Sequence, residues 1–245
     1  MENLVEVRNL KKIYGSKEAV KDISFNIKRN EILGLLGPNG CGKTTTIGMM
    51  LGLLKPTDGE ILINGKKIEE NRIETLKKIN FISPYIELPK KLTVKQNLIV
   101  YCKLYNVVDV KNRIEYLVEK LRLEDLLDRV TGELSSGQKN RASLAKALIN
   151  NPTVLFLDEP TASLDPEIGD FVRSFLENYK NEKKISILLA SHNMNEVTRL
   201  CRTVLMMKDG TIIDKGFPEE LIKKHGRKNL EEVFLKLSRS KDEFY

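Results

Sequence analysis

A glycine-rich segment that ends in lysine and threonine lies in the N-terminal part of the chain. Residues 37–44 read G-P-N-G-C-G-K-T, which matches the pattern G-x-x-x-x-G-K-[ST]. Glycines let successive backbone N–H groups face a phosphate chain, and a helix N-terminus favours an anion through its dipole. The pattern predicts that Lys43 reaches the β- and γ-phosphates of a nucleotide and that the Thr44 hydroxyl ligates Mg²⁺. The predicted nucleotide-binding residues here are Gly37, Pro38, Asn39, Gly40, Cys41, Gly42, Lys43, Thr44 and Thr45.

Two acidic residues follow a short apolar run further along the chain. Residues 154–159 read V-L-F-L-D-E, a pattern that predicts a buried strand ending in two carboxylates. We expect Asp158 to hold Mg²⁺ through water and Glu159 to orient and polarise the attacking water, with Lys43 as a further catalytic residue. A solvated strand end without chemistry is the alternative. Together the two motifs are typical of many ATPases and GTPases.

Alternating strands and helices must position these residues. Residues 31–36 (E-I-L-G-L-L) form a continuous apolar run, typical of a strand buried on both faces, and a helical pattern begins at Lys43. Apolar runs at 154–157 and 185–190 alternate with helical segments, as in a doubly wound α/β sheet.

Two further regions extend this core. The loose alternation of residues 3–8 and 22–27 predicts an antiparallel N-terminal sheet. Apolar residues spaced three and four apart between residues 93 and 127 predict inserted helices. The predicted divisions are residues 1–217 for the main domain, about 85–145 for the helical insert within it and 218–245 for a C-terminal helical tail.

The composition excludes several classes of protein. The 245 residues are 41% hydrophobic and 31% charged, which predicts a folded chain. Cys41, Cys102 and Cys201 lack CxxC or CxxH spacing, which excludes a disulfide framework and most zinc sites. The formal net charge of +7 is spread without a polybasic block, so charge alone predicts no nucleic-acid partner. No membrane-spanning run or signal peptide is recognised, so we expect the chain to remain in the cytoplasm.

Three more motifs narrow the field. Residues 134–138 read L-S-S-G-Q ahead of a predicted helix, residues 163–165 read S-L-D, and His192 ends a predicted strand. In this order the motifs resemble those of the ATP-binding subunits of ATP-binding-cassette (ABC) transporters, from about Val5 to Gly216. The resemblance implies the P-loop NTPase (RecA-like) fold, an α/β class with a parallel sheet core, an N-terminal antiparallel β subdomain and an inserted α-helical subdomain.

The resemblance also implies roles for single residues outside the first two motifs. Tyr14 matches the aromatic that stacks on adenine, although alone it is more typical of a half-buried strand end. Asp165 matches an aspartate at the subunit interface, and its other interpretation is a cap or turn before Pro166. His192 matches the catalytic switch histidine that contacts the γ-phosphate. His225 has no such context, and we expect it to be solvated.

The L-S-S-G-Q segment matches the family signature with one change. By resemblance, Ser135, Gly137 and Gln138 contact the γ-phosphate of ATP held by the opposite subunit. A serine and glycine before a helix also form an ordinary N-cap, and both interpretations hold together. Ser136 replaces the first glycine of the usual L-S-G-G-Q, a small change that we expect to keep the backbone contact.

The more serious departure is Pro84. The family usually has a glutamine at this position, which contacts Mg²⁺ and touches the membrane partner, and proline supplies no ligand side chain. Ser83 is the neighbouring residue that could replace it.

The resemblance implies a transport function. Two subunits, identical or different, enclose two ATP molecules, so that ATP binding closes the dimer and hydrolysis releases it. A separate membrane permease converts closure into transport, with residues 85–127 as its docking face and the chain peripheral on the inner face of the cell membrane. Similarity of residues 53–65 and 191–216 to short exporter ATPases favours export.

Two alternatives remain from the sequence. One is a soluble ABC ATPase acting on nucleic acid or ribosomes, although such relatives commonly carry two cassettes or a long coiled coil, and this chain has one P-loop and no sustained heptads. The other is a non-hydrolytic regulatory module, indicated only by Pro84 and opposed by Lys43, Asp158, Glu159 and His192. We expect no nucleic-acid partner.

Overall fold

The structure is a computed structural model that describes residues 2–162 and 164–239. It divides into two compact units, one built from residues up to Thr75 and from Ser186 onward, the other from Leu76–Ile185. Ser163 of the S-L-D motif and residues 240–245 of the predicted tail lie outside the described residues.

The first unit contains an antiparallel sheet at its N-terminal end. Val5 and Val7 are buried, and Val5 pairs with strands on both sides, at Ile27 and Ile63. Burial of one face of the first strand accounts for the loose alternation in the sequence. The predicted antiparallel subdomain is therefore confirmed. The strand order is β2-β1-β4-β5, with β1 at Asn3–Tyr14, β2 at Lys17–Lys28, β4 at Asp58–Ile63 and β5 at Lys66–Lys67.

A second set of strands in the first unit carries the glycine-rich loop. Strand β3 (Ile32–Leu36) pairs in parallel with β8 (Ser186–Ser191) and with β9 (Thr203–Lys208). Every residue of β3 and β8 is buried, as expected for parallel strands covered on both faces. Strand β10 (Thr211–Gly216) forms an antiparallel hairpin with β9. The helices are α1 (Lys43–Met50), α2 (Arg72–Leu76, at the boundary of the units), α7 (Met194–Leu200), α8 (Pro218–His225) and α9 (Leu230–Arg239).

The second unit contains two parallel strands and most of the long helices. Strands β6 (Ile79–Ile82) and β7 (Val154–Asp158) pair in parallel, and β7 is buried along its whole length. Helices between these strands, with the parallel and antiparallel strands of the first unit, confirm the predicted α/β fold class. Short 3₁₀ turns occupy 124–126 and 131–133. The helices are α3 (Val94–Leu104), α4 (Val110–Leu121), α5 (Ser136–Leu148) and α6 (Pro166–Lys183).

None of the helices within residues 2–162 and 164–239 combines the length and the apolar character that crossing a membrane requires.

Candidate functional site

The glycine-rich loop joins the end of β3 to the start of α1. Lys43 is the first residue of α1 and is only 5% exposed. Its Nζ donates hydrogen bonds to the carbonyl oxygens of Gly37 at 2.7 Å and Pro38 at 3.2 Å. The first turn of α1 contains no acidic residue, and the first N–H groups of a helix lack intrahelical acceptors. The loop therefore presents a buried positive charge and helix N–H donors at one place, which suits a phosphate group.

Packing requires glycine at two positions of this loop. A Cβ atom on Gly37 would overlap the carbonyl oxygen of Met207 and lie 2.6 Å from Cys41 Sγ. A Cβ atom on Gly42 would lie 2.6 Å from the carbonyl oxygen of Ala19, and the φ of Gly42 is 111°, a conformation that side chains disfavour. The glycine pattern is thus explained by backbone conformation and close neighbours.

The other loop residues differ in exposure. Pro38, Asn39 and Gly40 are exposed at the tip of the loop, and Thr44 is exposed on the first turn of α1. Cys41 is buried, and burial raises the pKa of its thiol, so it packs as an uncharged side chain. Thr45 is half-buried.

Tyr14 lies at the end of β1 with 46% of its surface exposed. It pairs with Lys17 across the turn into β2, and Ala19, two residues further, contacts Gly42 of the glycine-rich loop. The Nζ of Lys12 lies 5.0 Å from the centre of the Tyr14 ring. Strand β2 thus connects an exposed aromatic ring to the glycine-rich loop within one unit.

His192 follows β8 directly and is exposed. Both of its neighbours are held: the hydroxyl of Ser191 donates to Glu196 Oε2 at 2.8 Å, and the N–H of Asn193 donates to Ser191 Oγ at 3.0 Å. Asn193 also caps α7, and Glu196 is only 2% exposed. The sequence analysis missed Glu196, whose signal is the spacing N-x-x-E at a helix start. These bonds fix the backbone that carries His192.

Asp158 and Glu159 follow β7 as predicted, but their backbones differ. Asp158 is the last residue of the strand and is 3% exposed. Glu159 has a φ of 53°, in the left-handed region that residues other than glycine seldom adopt. Such conformations cost free energy and concentrate at functional sites. The strained residue is the one predicted to activate water.

The oxygen donors predicted for Mg²⁺ suit that ion. Mg²⁺ prefers oxygen ligands and is usually held by one or two carboxylates together with substrate phosphates and water. The carboxylate of Asp158, at the end of β7, and the hydroxyl of Thr44, on the first turn of α1, are donors of this kind. Across residues 2–162 and 164–239, no group of three or more His, Cys, Asp and Glu side chains is arranged to hold a metal.

The signature segment forms a reciprocal helix cap. The N–H of Gln138 donates to Ser135 Oγ at 3.3 Å, and the N–H of Ser135 donates to Gln138 Oε1 at 3.0 Å. Ser135 and Ser136 are exposed, whereas Gly137 is buried. The predicted N-cap is confirmed, and it orients an exposed helix N-terminus.

Gly137 packs against the start of α6. A Cβ atom on Gly137 would lie 3.2 Å from the side chain of Ile168. The N–H of Ile168 donates to Asp165 Oδ1 at 2.9 Å, and Pro166 occupies the first turn of α6. Asp165 is therefore a helix cap, and its interface role stays a prediction.

One cavity of the second unit is lined both by residues that match the family pattern and by residues that depart from it. The cavity measures about 190 Å³. Asn140, which the sequence analysis did not single out, donates from Nδ2 to the carbonyl oxygen of Pro160 at 2.6 Å, so α5 is tied to the turn after Glu159. The lining residues that bear on function are Ser83, Pro84, Ser136, Asn140 and Glu159.

The expectation that His225 is solvated is wrong. Its Nε2 lies 2.6 Å from Asp214 Oδ2, and its side chain is 12% exposed. Lys224 Nζ lies 2.8 Å from Asp214 Oδ1. Burial raises the pKa of Asp214, but hydrogen bonds from Lys224 and His225 outweigh it and leave the pKa below its usual value. Since Asp214 is in β10, this cluster holds α8 to that strand.

Comparisons with known proteins place these features in a family. The family model described as ABC transporter matches residues 20–162. The bacitracin transport ATP-binding protein BcrA of Bacillus licheniformis is 36% identical over 234 residues, which cover 94% of this chain and 75% of the relative. The Nod factor export ATP-binding protein I of Burkholderia orbicola (strain AU 1054) is 37% identical over 220 residues, covering 89% and 72%.

Solved structures are similar over most of the chain. The ATP-binding subunit of an ABC transporter superposes with a TM-score of 0.88 at 27% identity, covering 96% of this chain and 99% of the other. A dimeric post-hydrolysis ATP-binding cassette bound to ADP and Pi superposes with a TM-score of 0.80 at 26% identity, covering 87% and 98%.

Proposed function

Since this chain belongs to the family of ATP-binding subunits of ABC transporters, we propose that it binds and hydrolyses ATP to drive export through a separate membrane permease. ATP binding and hydrolysis are the activities of the family. The observation that carries the assignment is the buried Lys43 at the start of α1, in a loop where a side chain at Gly37 or Gly42 would collide with neighbouring atoms. We also propose residues 1–217 as the ATPase domain, with a helical insert at about 85–145, and 218–245 as a helical tail.

The chain's own residues divide the chemistry between them. Lys43 and the N–H groups of the loop bind the phosphates and stabilise the charge that develops on them during transfer. Glu159 orients the attacking water and accepts its proton, and His192 contacts the γ-phosphate. Tyr14 stacks on adenine. The hydroxyl of Thr44 and, through water, the carboxylate of Asp158 would hold Mg²⁺, which would supply charge neutralisation at the phosphates.

A second ATPase subunit completes each site. Ser135 and Ser136 are exposed at the N-terminus of a capped helix, an arrangement that suits contact with a phosphate bound by another chain. Ser135, Gly137 and Gln138 make this contact in our proposal, and Asp165 lies at the interface. ATP then favours the closed dimer because its γ-phosphate contacts both chains, which ADP cannot do.

The permease docks on the second unit. Tyr85 is 81% exposed, Leu104 is 68% exposed, and Val108 is fully exposed. These apolar side chains fall within residues 85–127, and exposed apolar groups mark interaction surfaces when they occur together. The excess of basic residues favours the anionic inner face of the cell membrane, so we place the chain there as a peripheral cytoplasmic subunit. We propose no nucleic-acid partner.

The direction of transport is proposed from the relatives. One of those described above carries export in its name and the other transports bacitracin. Export is therefore the direction that similarity favours for this chain.

Cross-linking in the source cells tests this assignment. A photoreactive group at position 104 should cross-link to an integral membrane protein, and a chain with Val108→Ser and Leu104→Ser should leave the membrane fraction. Ile73, 72% exposed on the first unit, provides the matched control, because Ile73→Ser should not change the fractionation. Co-sedimentation with ribosomes or nucleic acid, without a cross-linked membrane protein, would contradict the proposal.

A further inference from the structure

A lysine is buried in the second unit near the last turn of the signature helix. Lys146 of α5 is 7% exposed. Its Nζ donates a hydrogen bond to the carbonyl oxygen of Phe81 at 3.0 Å. The same Nζ lies 5.0 Å from the centre of the Phe81 ring and 5.6 Å from the centre of the Tyr101 ring. One ammonium group therefore contacts β6 and α3 from its place on α5.

The surrounding contacts reinforce the junction of α5 with β6. Asn80, next to Phe81, donates from Nδ2 to Asn150 Oδ1 at 3.0 Å. Asn150 donates in turn to the carbonyl oxygen of Ile79 at 3.1 Å. Side-chain hydrogen bonds therefore join β6 to the C-terminal end of α5. The loop that begins at Ser83 directly follows β6.

Stability does not explain a charged group at this place. Burial lowers the pKa of Lys146 to about 8, and in the described part of the chain no carboxylate is paired with its ammonium. Of the groups that face it, α3 contributes the titratable Tyr101 and β6 the uncharged Phe81. A buried cation without a counter-ion lowers stability, and an apolar side chain of similar length would avoid this cost.

The place of Lys146 indicates what it does instead. Helix α5 begins at the signature cap, and β6 leads into Ser83 and Pro84, which line the same cavity as Glu159. We propose that Lys146 is a positioning residue for ATP hydrolysis. It fixes the position of the Ser83–Pro84 loop relative to α5 and α3. The role matters in this chain because proline stands at position 84. The inference rests on the proposed ATPase function.

An uncharged variant of Lys146 distinguishes a positioning role in hydrolysis from a role in packing alone. Lys146→Met should lower kcat about tenfold and change KM for ATP less than twofold, because the observed contacts of Lys146 are to Phe81 and Tyr101, which are not among the proposed nucleotide-binding residues. Its thermal midpoint at pH 7 should equal or exceed that of the wild type, which a purely structural residue would not produce. Lys183→Met, at an exposed lysine at the end of α6 and outside the proposed docking face, is the matched control and should leave kcat unchanged. Unchanged kcat in Lys146→Met would overturn the proposal.

The pH profile gives a second test that does not depend on the methionine variant folding. Wild-type kcat should fall above about pH 8, where Lys146 loses its proton. Lys146→Arg retains its charge throughout this range, so its kcat should be close to the wild-type value at pH 7 and should persist to pH 9. Identical alkaline limbs in the two proteins would overturn the proposal. Lack of ATPase activity in the wild type, or its retention in Lys43→Ala, would instead contradict the ATPase assignment.

Discussion

The phosphate-binding loop of the first unit and the cavity of the second unit follow the family pattern to different degrees. The loop keeps each residue of the pattern, and close contacts at Gly37 and Gly42 explain why. The cavity has Pro84 in place of glutamine and Ser136 in place of glycine, yet Glu159 lines it. The difference teaches that Gly37 and Gly42 tolerate little change because neighbouring atoms lie against them, whereas the cavity has about 190 Å³ of space in which other residues can take over a role.

The largest expected effect is in the phosphate-binding loop. Lys43→Ala removes the buried ammonium that bonds to the carbonyl oxygens of Gly37 and Pro38. Because we propose that this ammonium neutralises phosphate, kcat/KM for ATP should fall by a factor of about 100 to 1000. Phosphate release at steady state measures the effect. Lys66→Ala, at an exposed lysine of the same unit, is the control. Wild-type activity in Lys43→Ala would show that the loop tolerates substitution as well as the cavity does, which contradicts the comparison.

A smaller effect is expected from backbone crowding in the same loop. Gly37→Ala places a methyl group against the carbonyl of Met207 and the sulfur of Cys41, which should cost about 1 to 3 kcal/mol of unfolding free energy. Chemical denaturation measures this cost. Gly65→Ala provides the comparison, because no atom lies within 4 Å of its Cβ position and only its positive φ is disfavoured, at about 1 kcal/mol. Equal costs at both positions would show that packing does not enforce the loop pattern.

The smallest effect is expected in the cavity. Ser83 accepts a hydrogen bond from the N–H of Tyr85 at 3.4 Å, and its hydroxyl is the neighbouring group that can replace the missing glutamine. In our proposal the hydroxyl makes one hydrogen bond at the reacting site in place of that glutamine. Loss of one hydrogen bond is worth about 1 kcal/mol, so Ser83→Ala should lower kcat about fivefold. Pro84→Gln in the Ser83→Ala background should restore part of this loss. No change in either variant would mean that neither position contributes to hydrolysis.

The sequence predicts the loop better than the cavity for a physical reason. The roles of Gly42 and Lys43 follow from local geometry, a positive φ and a helix start, which a short motif encodes. The contact between Lys146 and Phe81 joins residues 65 positions apart, and no motif announces it. Its only trace in the sequence is a lysine within an otherwise apolar run, L-A-K-A-L-I at residues 144–149. The expectation for His225 failed likewise, because its partner Asp214 is on another element.

The central claim is that ATP joins two copies of the chain or the chain and a similar subunit, and that Glu159 then hydrolyses it. Light scattering of purified Glu159→Gln protein with Mg-ATP tests this most directly, since the variant should bind ATP and fail to hydrolyse it. The account predicts that the mass rises from 28.0 kDa to about twice that value and returns to 28.0 kDa with ADP. A variant that remains at 28.0 kDa with Mg-ATP, while the wild type hydrolyses ATP, would contradict the account.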